Sequence, residues 1–193
     1  MAPLRRIAGS FALALVSCAG VTADAPAQAV ARQRLGPSGG SVAARAETPI
    51  AGSWIRVPPD ALDGETEVAL FSAPDQCPNL PQGKVDLSAP VDFLPIAVAF
   101  AEPVVLRIAL PETHTPMFAR HDGPVRSRAL AGNAALLAVG DSGWEELPVV
   151  RRGDAWLETT VNVLVHGCFV AVAGSDELVF ADTDPSRQTV DAL

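Results

Sequence analysis

The chain has 193 residues, room for one ordinary domain with a leader and a tail. It is 49% hydrophobic, enough for a buried core, and 19% charged, with a net charge of −8. That balance argues against a nucleic-acid binder, which needs a basic surface to displace counterions, and against adhesion to anionic lipid by surface charge alone.

Residues 1–17 read as a signal peptide. Arg5 and Arg6 form a basic n-region. The apolar run from Ile7 to Val16 is too short to span a bilayer, which needs about 20 residues. Leu15-Val16-Ser17-Cys18 then resembles the lipobox of bacterial lipoproteins. The resemblance implies lipid transfer to the Cys18 thiol, cleavage before it, and membrane attachment through the N-terminal lipid. Ala19 follows with no acidic retention residue, which implies the outer membrane in a diderm cell. The alternative is a plain secretory signal cleaved after Ala27-Gln28-Ala29, releasing a soluble domain. Residues 18–35, rich in Ala and Gln, read as a flexible tether.

Residues 36–173 read as one domain. The 17 prolines and 15 glycines cut it into short apolar runs. Strands are expected at Ser41–Ala46, Trp54–Val57 and Glu65–Phe71, the last alternating with Val68 and Leu70 on one face and Ala69 on the other. Ile96–Phe100 and Val104–Leu110 read as two runs around Ala101-Glu102-Pro103. Ala134–Val139, Val149–Arg151, Ala155–Val163 and Cys168–Ala173 follow, with turns at Asp141-Ser142-Gly143 and at Gly153. About eight or nine short strands, with no amphipathic helix, predict an all-β, Ig-like antiparallel sandwich. Thr113 to Ala131 reads as an insertion-like loop, and 174–193 as a polar acidic tail.

Four stretches resemble ZU5-like domains, the sandwich modules of ankyrins, netrin receptors and many bacterial surface proteins. Gly39-Gly40-Ser41-Val42 looks like the opening strand. Ile55-Arg56-Val57-Pro58-Pro59-Asp60-Ala61-Leu62 is similar to the family's Ile-x-Ile-Pro-x-Gly-Ala-Leu segment, with Asp60 where Gly is usual. Pro95 to Pro111 resembles the segment containing Phe, Pro-Val and Leu, here Phe100, Pro103-Val104 and Leu106. Gly143 to Leu147 and His166 to Val172 are similar to the late Trp and His-Phe-Ser region, with Gly167-Cys168 where Phe-Ser is usual. The resemblance implies an interaction module and no catalysis, with no partner fixed by the fold.

Four sets of residues are candidates for chemistry. With Cys18 lipidated, Cys77 and Cys168 are left in an oxidising compartment, where a disulfide closing a long loop would be worth about 4 to 5 kcal/mol. Alternatively, Cys168 is a nucleophile with His166 as base, cleaving the chain at Gly167-Cys168 as some ZU5 relatives do at His-Phe-Ser. Glu112, His114, His121 and Asp122 offer metal-type donors without a recognised spacing; a solvated loop is preferred, and no metal is expected. Trp54, Trp144 and Trp156 could stack on a sugar or a partner peptide, with core or half-core packing preferred for all three; Trp144, after a tight turn, is the tentative binding residue. No nucleophile elbow, phosphate loop or paired Cys-x-x-Cys is present, so no catalytic residue and no cofactor are expected. The expected partner is an envelope protein or glycan.

Overall fold

The computed structural model describes residues 29–72, 75, 77–118, 123–165 and 167–180. The signal peptide, Cys18 with its lipobox, His121, Asp122, His166 and the last thirteen residues of the expected tail lie outside them.

The described residues form an all-β fold of twelve strands in three antiparallel sheets. One sheet has the order β1 (Ala29–Leu35), β4 (Thr66–Phe71), β6 (Asp92–Leu94). A second orders β5 (Lys84–Asp86), β12 (Gly167–Gly174), β8 (Ala135–Gly140), β9 (Gly143–Leu147). The bridge between Val91 and Phe169 joins these two into one layer. The third sheet, β10 (Arg151–Gly153), β11 (Trp156–Val163), β7 (Ala99–Ala109), β3 (Trp54–Val57), β2 (Gly40–Ala43), is the facing layer. Ile55, Leu106, Ile108 and Leu157 of the third sheet share a single core with Val68, Leu70, Leu136 and Phe169. Phe93 and Phe169 meet edge to face, 5.2 Å between ring centres, at its middle.

The tether expected over 18–35 does not include residues 29–35, which pair along β4 from Ala29↔Phe71 to Leu35↔Thr66. Its composition looked like a linker because Arg32, Gln33 and Arg34 point outward; Leu35 is buried and ends the strand in the core. The two runs expected around Pro103 are one strand, β7. Proline is tolerated there because the pairing with β3 has stopped at Arg56↔Val105 and that with β11 shifts between Val161 and Val163, so no regular ladder bond is lost. Ala69 is buried like Val68 and Leu70, since β4 is the central strand of its sheet.

Thr113 to Ala131 is no simple surface insertion. His114 bridges Val125, Val125 bridges Phe180, and a short 3-10 turn at Ser127–Leu130 buries Ser127 and Leu130. The expected tail begins late for the same reason: β12 runs to Gly174, and the Arg126 amide donates to the Val179 carbonyl.

Two stretches that carry the family resemblance meet at the corner between β1 and β2. Gly39 has φ +69°, and a Cβ there would lie 2.4 Å from the Val57 carbonyl oxygen, so only glycine fits. Asp60, donating its amide to the Pro37 carbonyl, has φ +62°. Asp is among the side chains that tolerate this left-handed backbone better than most.

Candidate functional site

Cys77 and Cys168 form the expected disulfide, spanning 91 residues with their Cα atoms 5.6 Å apart, inside the ordinary range. The Cys168 amide donates to Asp92 Oδ1. Burial pushes the Asp92 carboxyl above its ordinary value, and the amide bond only partly offsets this. With its sulfur in a disulfide, Cys168 carries no thiol to attack the carbonyl before it.

Trp144 is half-buried on β9, against Leu137, Val170 and Val172 of the neighbouring strands. Its indole N–H donates to the Asn79 carbonyl at 2.8 Å. Trp144 and the disulfide therefore hold the same loop, residues 77–80, on the outer face of the β12–β8–β9 sheet. The residue selected as a ligand contact has its polar atom engaged within the chain.

Of the metal-type residues, Glu112 and His114 are among those described, and they take different partners. His114 Nε2 lies 2.8 Å from Asp86 Oδ2, and Glu112 instead lines an open cleft with Arg126 and Arg128. Among the described residues, no three His, Cys, Asp or Glu side chains are grouped to hold a metal.

Asp86, which sequence reasoning missed, is fully buried at the end of β5. It accepts the Met117 amide at 2.7 Å and the Phe118 amide at 3.2 Å, besides the His114 ring. Burial alone would push its carboxyl up; the bonds from His114, Met117 and Phe118, with the imidazole's charge, outweigh it and hold the group below its ordinary value. One carboxylate thus fastens the 113–118 segment to the sheet.

A more extensive array covers the outer face of the five-stranded sheet. Period two turns Ile55, Leu106 and Leu157 into the core, so Trp54, Arg56, Arg107, Trp156 and Glu158 face out. Register then aligns four of these strands in one row: Trp54 opposite Arg107, Arg107 opposite Glu158, Glu158 opposite Arg151. The Arg107 guanidinium lies between two indoles, 4.6 Å from the centre of Trp54 and 4.0 Å from that of Trp156. Arg56 sits 4.9 Å from Trp54, and Arg151 is 5.9 Å from Trp156. Cation–π contacts occur roughly once per 70–80 residues, so four on one face is a concentration. Gly153 makes room for the array, because a Cβ there would lie 2.6 Å from the Trp156 ring.

Glu158 is the anionic centre of the array, with only 2% of its side chain exposed. Its Oε1 accepts Arg107 Nε at 2.9 Å and Nη2 at 2.5 Å; its Oε2 lies 3.7 Å from Arg151. Three guanidiniums against one carboxylate leave the face positive on a chain whose net charge is −8. A shallow depression of about 170 Å³ lies over it, with Thr160 and Val105 in its floor. The face can hold a ligand by hydrogen bonds and charge.

The signal for this face was present in sequence. Trp54-Ile55-Arg56, Val105-Leu106-Arg107 and Trp156-Leu157-Glu158 each place a large or charged residue either side of a core residue. What sequence could not supply was the register that lines them up. No family model matches the chain, and no curated protein matches it.

Proposed function

We propose that this chain is a non-enzymatic binding module of the bacterial cell envelope, a ZU5-like sandwich held to the membrane by lipid on Cys18. The observation that carries the binding role is the outward Trp–Arg array: cations and indoles are fixed in place on an open sheet face before any partner arrives. Preorganisation of this kind lowers the entropic cost of recognition. The ZU5 likeness is supported by the left-handed backbone at Asp60, where the family has glycine, and by the Gly39 approach to the Val57 carbonyl. Both cleavage sites considered above lie before Val30, so lipidated and secreted forms would carry nearly the whole of β1.

The test is the intact mass of the protein taken from its native membrane, before and after reduction. A chain starting at Cys18 with acyl chains, gaining two hydrogens on reduction, is expected. A chain starting at Val30 without lipid would make it a secreted module. Two fragments, released on reduction and meeting at Gly167 and Cys168, would make it a self-processing protein instead.

A further inference from the structure

We infer that the Trp–Arg array is a binding site for an acidic polysaccharide, a glycan whose carboxylates recur along the chain. This deepens the binding-module reading and rests on it. The array is a continuous run of contacts in which cation and indole alternate: Arg56, Trp54, Arg107, Trp156, Arg151. Arg107 is engaged by Glu158, so the two outer guanidiniums, of Arg56 and Arg151, are the ones that can meet a ligand; steps of 4.9, 4.6, 4.0 and 5.9 Å put their carbons no more than about 20 Å apart. A glycan whose carboxylates recur along the chain can present two charges within that span. Guanidinium matches carboxylate through paired N–H donors.

The ligand must lie flat. The depression of about 170 Å³ is smaller than the 300 Å³ or more typical of pockets that enclose small molecules. Each indole of the array has a guanidinium against it, so the array offers its rim, where the exposed side chains of Arg56 and Arg151 can meet a ligand passing across the strands. Arg151 is 71% exposed and only distant from Glu158, so its charge is available. Two other anionic partners fit less well. A bilayer would present its charge to the whole acidic surface, and the depression has only one exposed large apolar residue, Val150, to insert. An acidic peptide would gain most by adding a strand at a sheet edge, and the array lies on a face. At physiological salt, charges beyond about 8 Å are screened, so a thin polymer feels the local arginines more than the distant acids.

The experiment is retention of the full chain, in detergent, by immobilised hyaluronan, with neutral dextran, poly-glutamate and phosphatidylglycerol vesicles as the other arms. Retention on hyaluronan that falls with added salt and exceeds the other three is expected. The double variant R56Q/R151Q should weaken it about tenfold or more, at an unchanged thermal midpoint, since each arginine is exposed and neither is Glu158's close partner. Equal retention of the double variant, no retention on hyaluronan, or stronger binding to poly-glutamate or to the vesicles would each overturn the assignment. If the native mass begins at a lipidated Cys18 and hyaluronan still fails, the ligand is wrong while the envelope reading stands.

Discussion

The two outer faces of this sandwich are finished in opposite ways. On the β12–β8–β9 sheet a loop is laid over the strands and fixed by the Cys77–Cys168 bridge and the Trp144 hydrogen bond to Asn79. On the five-stranded sheet no segment among the described residues takes that part; Trp54, Arg107, Trp156 and Glu158 cover the strands with their own side chains. The first face is closed by covalent and apolar contacts. The second is closed by charge and stacking, and so remains able to exchange its contacts with water for contacts with a ligand.

The largest effect is expected on the closed face. Replacing both Cys77 and Cys168 with Ala should cost about 4 kcal/mol of stability, read from the urea midpoint. On the open face, Arg107→Ala strands the buried Glu158 carboxylate, and about 3 kcal/mol should be lost. Arg107→Ala combined with Glu158→Gln should recover much of it. Full additivity of the two changes would show that the pair is uncoupled and that stacking alone covers this face.

Asp86 sharpens the picture, because it does by hydrogen bonds what the disulfide does covalently. Asp86→Asn should cost about 2 kcal/mol at neutral pH, by loss of charge-assisted bonds to His114, Met117 and Phe118. Its carboxyl is held below the ordinary value in the folded chain, so its contribution is present above the unfolded value of about 4 and lost as pH falls through the folded one. Asp92 works the other way. Its raised carboxyl contributes stability at low pH that is lost as pH rises through the folded value. Asp86→Asn should therefore flatten the acid limb of a stability–pH curve, and Asp92→Asn should steepen it. The smallest expected effect lies under the array. Thr159 Oγ1 is buried without a hydrogen-bond partner among the described residues, so Thr159→Val should gain about 1 kcal/mol in thermal or urea unfolding.

Much of the fold was legible because period-two patterning and Pro/Gly punctuation act locally. Trp54–Val57 falls where that pattern puts it, and Ala155–Val163 and Cys168–Ala173 are displaced by a residue or so. β5 and β6 were not legible: three residues each are too few for a period, and they exist because β12 and β4 offer them edges. β1 was hidden by its polar middle, whose outward side chains give no sign of the pairing with β4. Of the candidate residues, the cysteine pair could be read by elimination, since Cys18 was already assigned. The array could not, because Trp54, Arg107 and Trp156 are separated by scores of residues and meet only through the register of three strands.

The disulfide also governs what a single cut in the chain can do. Residues 77 and 168 enclose nearly half the chain, including the segment around Met117 and Arg126. A protease that cuts anywhere between them makes a nick and no fragment. Both pieces stay joined until the bridge is reduced, so a molecule nicked there keeps its bulk and its array together.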